Sequence, residues 1–329
     1  MSEEIFEQTF QVAAPARLKL SNIRGSVEIQ AGDPGVISVH AVKHNGSYKQ
    51  TTIEMSQAGD GGVVVETREP EIAWRLFSLT SPAKVDYLVS VPPSCNLRIS
   101  CVSSSMHISG VRGEFSFNTV SGDMDLQNLS GPLKINSVSG DVTGSHLSGE
   151  LSLDTVSGNI RLDDSDLTGV HGSTVSGDLL LHTALGAGPY KLNSVSGDVS
   201  FVVPAETACT AEVHGVSGSF RSTLPLTMQT RRHSNSSAQV QGGGVPVKLS
   251  SVSGDLWIGQ PGDEPGKGRS EAVVTSTPPA VPMPPTPPMP PAPPEPPVSQ
   301  PTPLTTAEIL GMVERGELSV DEAIRRMQR

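Results

Sequence analysis

The sequence predicts an all-β protein, a single-chain β-solenoid of about 18–21 residues per coil with a β-rich N-terminal cap and a small C-terminal α-hairpin. Three observations carry that prediction. One short phrase recurs eight times, at Val102-Ser-Ser-Ser105, Val120-Ser-Gly-Asp123, Val138-Ser-Gly-Asp141, Val156-Ser-Gly-Asn159, Val175-Ser-Gly-Asp178, Val195-Ser-Gly-Asp198, Val216-Ser-Gly-Ser219 and Val252-Ser-Gly-Asp255. Its steps are 18, 18, 18, 19, 20, 21 and 36 residues. Around the copies apolar residues alternate with polar ones, and the alternation changes phase once per repeat. Period-2 alternation is a strand with one buried face. A slip of one residue turns a corner while keeping the apolar set inside.

Residues 1–94 read as a β-rich cap that contributes a first coil. Leu18, Leu20 and Asn22, then Ile23, Gly25, Val27 and Ile29, fit the repeat template, and strand-like runs follow at 36–42, 63–66 and 85–91. A cap is needed because an open terminal coil presents unpaired strand edges. Residues 95–260 read as the solenoid. In the copy around residue 138, Leu133, Ile135 and Ser137 form one inward series and Val138, Gly140 and Val142 the next. This places Val inside, Gly at the bend and Asp toward water. The long step from Val216 to Val252 holds either a degenerate coil or a protruding loop over residues 222–247; the polar run 231–237 favours the loop.

Residues 261–303 read as a linker, with 15 prolines in the 26 positions from 278 to 303. Such a stretch cannot build a packed core and favours extended polyproline II. In residues 304–329 Thr305 or Thr306 caps a first helix that Gly316 ends, and Ser319 with Glu322 forms a capping box for a second. Ile309, Leu310, Val313, Leu318, Ile324 and Met327 give the two helices apolar faces. So short a hairpin buries too little surface to stand alone. It is expected to dock on a second copy of itself, on the solenoid or on a protein partner, a homo-oligomer being one outcome.

The net charge of −11 argues against nucleic acid as a partner. The three cysteines form no CxxC pair, the N-terminus lacks a signal-peptide pattern, and no apolar run is long enough for a membrane span. A cytoplasmic protein is expected.

Among chemical candidates the stacked column of Asp123, Asp141, Asn159, Asp178, Asp198 and Asp255 stands first. Equivalent side chains on neighbouring coils lie about 4.8 Å apart, and a row of carboxylates at that spacing is a candidate Ca²⁺ site. The competing reading makes each Asp or Asn an acceptor for a backbone N–H at the bend. The repeated Ser forms a hydroxyl ladder, because a nucleophile would be singular and beside a His. The eight His share no column. No catalytic residues, resident metal or cofactor are expected.

The repeated phrase, with Tyr87-Leu-Val-Ser-Val-Pro92 before it, resembles the bacterial "putative adhesin" family of β-solenoid domains of unknown function, over roughly residues 15–260. The tail from Ile309 to Ile324 resembles the short SHOCT-like helical hairpins of bacteria. The resemblance implies no catalytic residues and a link to envelope-stress responses. Together these readings predict a non-enzymatic scaffold with a tethered hairpin. The alternatives are a bactofilin-like structural polymer, a surface adhesin and a carbohydrate-active β-helix enzyme.

Overall fold

The computed structural model describes residues 3–44, 51–59, 61–68, 83–217, 219–232 and 235–263. The chain divides into two units, Met1–Val274 and Thr275–Arg329. The second unit, with the expected hairpin and most of the Pro-rich linker, lies outside the described residues. Every regular element among the described residues is a β-strand.

The repeat folds as coils stacked by parallel pairing, each residue above its equivalent in the next coil. Leu133 pairs with Phe115 on one side and Leu151 on the other. On a second side Met106, Met124, Val142 and Ile160 follow one another in register. A third side is narrower, held by parallel bridges from Ser94 to Arg112, Ser130 and Ser148, and it turns Val111, Leu129 and Leu147 inward. One coil leaves its inner face bare, and the stack covers it. Each fully buried Leu, Ile or Phe then contributes about 1.5–3 kcal/mol, so the interior file is a main source of the stack's stability.

Glycine makes the first corner for two reasons at once. Gly122, Gly140, Gly158, Gly177 and Gly197 have φ between +121° and +135°, a region that side chains resist. A Cβ on Gly140 would also lie 2.4 Å from the carbonyl oxygen of Gly122. At the next corner Asn128, His146 and Asp164, 18 residues apart, take left-handed φ of 52°, 53° and 47°. Asn, Asp and His are the non-glycine residues enriched in that conformation, and all three occur here.

At both ends the stacking order departs from the chain order. Near the N-terminus the strand Ala16–Ala31 lies between Cys95–Ser109 on one side and the strands Val63–Arg68 and Lys84–Val91 on the other. Val36–His44 then pairs antiparallel with Lys84–Val91, and Glu3–Gln11 antiparallel with Val36–His44. At the other end Val245–Ser253 inserts between Tyr190–Ser196 and Cys209–Ser217. The eighth copy of the phrase therefore sits between the sixth and the seventh. The residues between those copies are not the expected loop. Leu226–Arg232 and Asn235–Val240 form an antiparallel hairpin on Cys209–Ser217. Its alternating Ser236, Ala238 and Val240 are buried, so even a polar strand here has an inward face.

Candidate functional site

The phrase is expected to place its Val inside, and the structure places it outside. Val102, Val120, Val138, Val156, Val175, Val195 and Val216 are each between 46% and 50% exposed. Ser137, 4% exposed, takes the last inward position of its side, so Val138 points outward as the strand continues. The phase changes one step later, at Ser139-Gly140, and Val142 resumes the inward series. Gly140 has no side chain and fits either phase, which is why the sequence alternation places the slip too early.

The consequence is an apolar row along one face of the stack. In spatial order it runs Val102, Val120, Val138, Val156, Val175, Val195, Val252 and Val216. The residue two before each Val lies beside it on the same outer face, giving a polar row of Ser100, Asn118, Asn136, Asp154, Ser173 and Asn193. Asn136 Nδ2 donates to Asn118 Oδ1 at 2.7 Å, which aligns part of that row. Between the rows runs a groove of about 710 Å³ across six coils, from Cys101 to Val195. Its floor includes Thr119, Ser137 and Thr174, whose buried hydroxyls have no hydrogen-bond partner among the described residues.

Beyond the Val row stands the Asp column, and its geometry binds coil to coil. Asp141 N donates to Asp123 Oδ1 at 3.0 Å, and Asn159 N to Asp141 Oδ1 at 2.7 Å. Asp178 N donates to Asn159 Oδ1 at 3.2 Å, Asp198 N to Asp178 Oδ1 at 2.9 Å, and Asp255 N to Asp198 Oδ1 at 2.8 Å. The ladder ends with Ser219 N donating to Asp255 Oδ1 at 2.8 Å. The acceptor role is thus directed at the following coil. Among the described residues no group of three His, Cys, Asp or Glu side chains converges as metal ligands would.

A third row borders the polar one. Arg98, Ser116, Lys134, Ser152, His171, Lys191, Lys248 and Glu212 stand in register. Among the described residues Arg98, Lys134 and Lys191 make no ion pair, while Lys248 pairs with Glu212 at 2.7 Å. The face therefore carries a basic band, a polar row, a groove, an apolar row and an acidic column, in that order. The acidic column is legible in the sequence and the basic band is not, because the band's positions keep the period of the repeat but only some carry a basic residue, the others being Ser116, Ser152 and Glu212.

The three thiols are enclosed. Cys95, Cys101 and Cys209 are free and buried, and burial pushes the first two thiols up to about 12 and the third to about 11. The nucleophilic thiolate is thereby suppressed. Trp257 is 3% exposed, so its ring offers no open face on which a sugar could stack. The hairpin residues Ile309, Leu310, Val313, Leu318, Ile324 and Met327 lie outside the described residues.

Among solved structures, the chain is similar to a "putative adhesin" of Bacteroides fragilis, at 11% identity over 78% of this chain and 97% of that one, with a TM-score of 0.46. A "putative adhesin" of Parabacteroides distasonis shows 12% identity over 78% of this chain and 97% of that one, with a TM-score of 0.40. A "putative lipid binding protein" of Parabacteroides distasonis shows 11% over 78% and 96%, with a TM-score of 0.36. No curated protein matches the sequence. The family described as Toastrack DUF4097 matches residues 16–258, the stretch that holds the coils, the groove and the Asp ladder, and the chain belongs to that family.

Proposed function

We propose that this chain is a non-enzymatic, cytoplasmic interaction scaffold whose solenoid docks other proteins along the Val-edged groove. The single observation behind this reading is the groove itself. A row of half-exposed Val beside an open channel of about 710 Å³ is apolar surface that the described chain does not cover. Contiguous exposed apolar surface rimmed by polar residues marks interaction sites. Repetition supports the same reading, since eight equivalent positions suit an extended contact better than one reacting centre. The free cysteines fit a reducing compartment.

In this reading residues 304–329 are a hairpin on a Pro-rich tether, raising the local concentration of a partner at the solenoid. The setting is the envelope-stress response to which some members of the adhesin-like family are linked. A pull-down with three forms tests the scaffold: the intact chain, a chain lacking residues 304–329, and Val156→Arg in the intact chain. Each altered form is expected to lose partners that the intact chain retains. Identical partner sets for all three would overturn the proposal.

A further inference from the structure

The face that carries the groove is complementary to itself, and the geometry points to a second copy of this chain as its occupant, bound in a parallel, in-register dimer. This inference rests on the groove face being an interaction surface and names what covers it.

The bands determine the orientation. The basic band lies on one flank of the groove and the acidic column on the other. Consider two copies face to face about a two-fold axis running along the stack. Such an axis exchanges the flanks, so the basic band of each copy lies over the acidic column of the other, coil against the same coil. A two-fold axis across the stack would keep each flank on its own side and set basic over basic. Isologous dimers require one such self-matching axis, and like charges in close apposition across an interface cost several kcal/mol. The parallel arrangement is the one the charges permit.

The coil-by-coil composition agrees. The coils with Lys134 and Lys191 in the basic band carry Asp141 and Asp198 in the acidic column, whereas the coil of Arg98 has Ser105 there and Asp123 stands on the coil of Ser116. The coil after that of Lys134 is neutral in both bands, with Ser152 and Asn159. Lys134 and Lys191 make no ion pair among the described residues, nor do Asp141 and Asp198, so these two contacts displace no existing ion pair, whereas His171 already pairs with Glu150 at 3.8 Å. The apolar rows fit the same symmetry. An axis lying between groove and Val row places the Val ridge of each copy in the groove of the other.

The area suffices. The Val row spans eight coils, about 34 Å at ~4.8 Å per coil, and seven residues separate the basic from the acidic band, roughly 20 Å around the corner. Each copy then covers about 700 Å², close to the roughly 800 Å² per partner of a stable interface.

Light scattering of the full chain over a concentration series tests this, combined with nitroxide pairs placed by Ser103→Cys, Ser157→Cys or Ser217→Cys, one per chain. The native cysteines are buried and leave the labels site-specific. The intact chain is expected to form a dimer. Labels at Ser103 and at Ser217, on opposite ends of the row, should each lie close to their own copy. Antiparallel packing would bring only Ser157 close and separate the ends by about 34 Å. Val138→Arg is expected to weaken the dimer at least about tenfold, a loss of about 1.4 kcal/mol. Lys134→Glu with Lys191→Glu, on exposed side chains, should do the same without touching the apolar row. A monomer at every concentration, a dimer indifferent to both changes, or separated end labels would overturn the inference. A monomer that still loses partners in the Val156→Arg pull-down would leave the scaffold standing and remove the dimer alone.

Discussion

At the scale of single residues, one phrase does several unlike jobs. Its Val is outward and apolar, its Gly turns the chain where a Cβ would strike the carbonyl of the coil below, and its Asp ties each coil to the next. The Gly is the least replaceable. Gly140→Ala meets both a positive φ and a backbone atom at 2.4 Å, and it should cost about 2–3 kcal/mol in urea unfolding. Gly59→Ala, with nothing within 4 Å, should stay within about 0.5 kcal/mol of the parent. Equal effects at the two positions would refute the close-approach account. The Val was misplaced from sequence for a physical reason. Alternation reports which residues share a phase, and a Gly at the bend belongs to both, so the slip has two positions equally consistent with the pattern. Only burial of Ser137 and exposure of Val138 separate them.

At the scale of elements, the repeat period was legible and the stacking order was not. Periodicity fixes what a coil looks like, and the regular steps from Val102 to Val195 make consecutive coils neighbours. The 36-residue step hides an excursion in which the chain adds one coil, caps it with a hairpin, and returns to fill the space beneath. Nothing in local pattern distinguishes a strand that extends a stack from one that inserts into it, because both bury the same inward residues. The insertion has a measurable consequence. Val245–Ser253 pairs on both sides, with Tyr190–Ser196 and Cys209–Ser217, although it is among the last strands of the solenoid. Amide exchange depends on how much structure must open. Its amides should exchange as slowly as those of the central strand Leu133–Ser139, and faster exchange typical of a fraying end would contradict the insertion. The polar hairpin strand Asn235–Val240 was equally hidden, since its apolar content lies in Ala238 and Val240 alone.

At the scale of the whole molecule, one face of the stack carries the groove and the charged bands. A net charge of −11 describes the chain poorly there, because most acidic residues of that face stand in one column and the basic ones in another, with Asp154 and Glu212 outside the acidic column. Both flank an apolar row that the repeat extends coil after coil. The Asp column was visible in the sequence as a string of equivalents. The groove was not, because it follows from which side of the sheet Val occupies. Covalent footprinting of aliphatic side chains, followed residue by residue as protein concentration rises, tests the central claim most directly. The Val row should become protected together, from Val102 to Val216, while Ile5 at 61% exposure and Leu88 at 43% remain as reactive as in the dilute protein. A Val row that stays as reactive as Ile5 at every concentration and with partners present would contradict it.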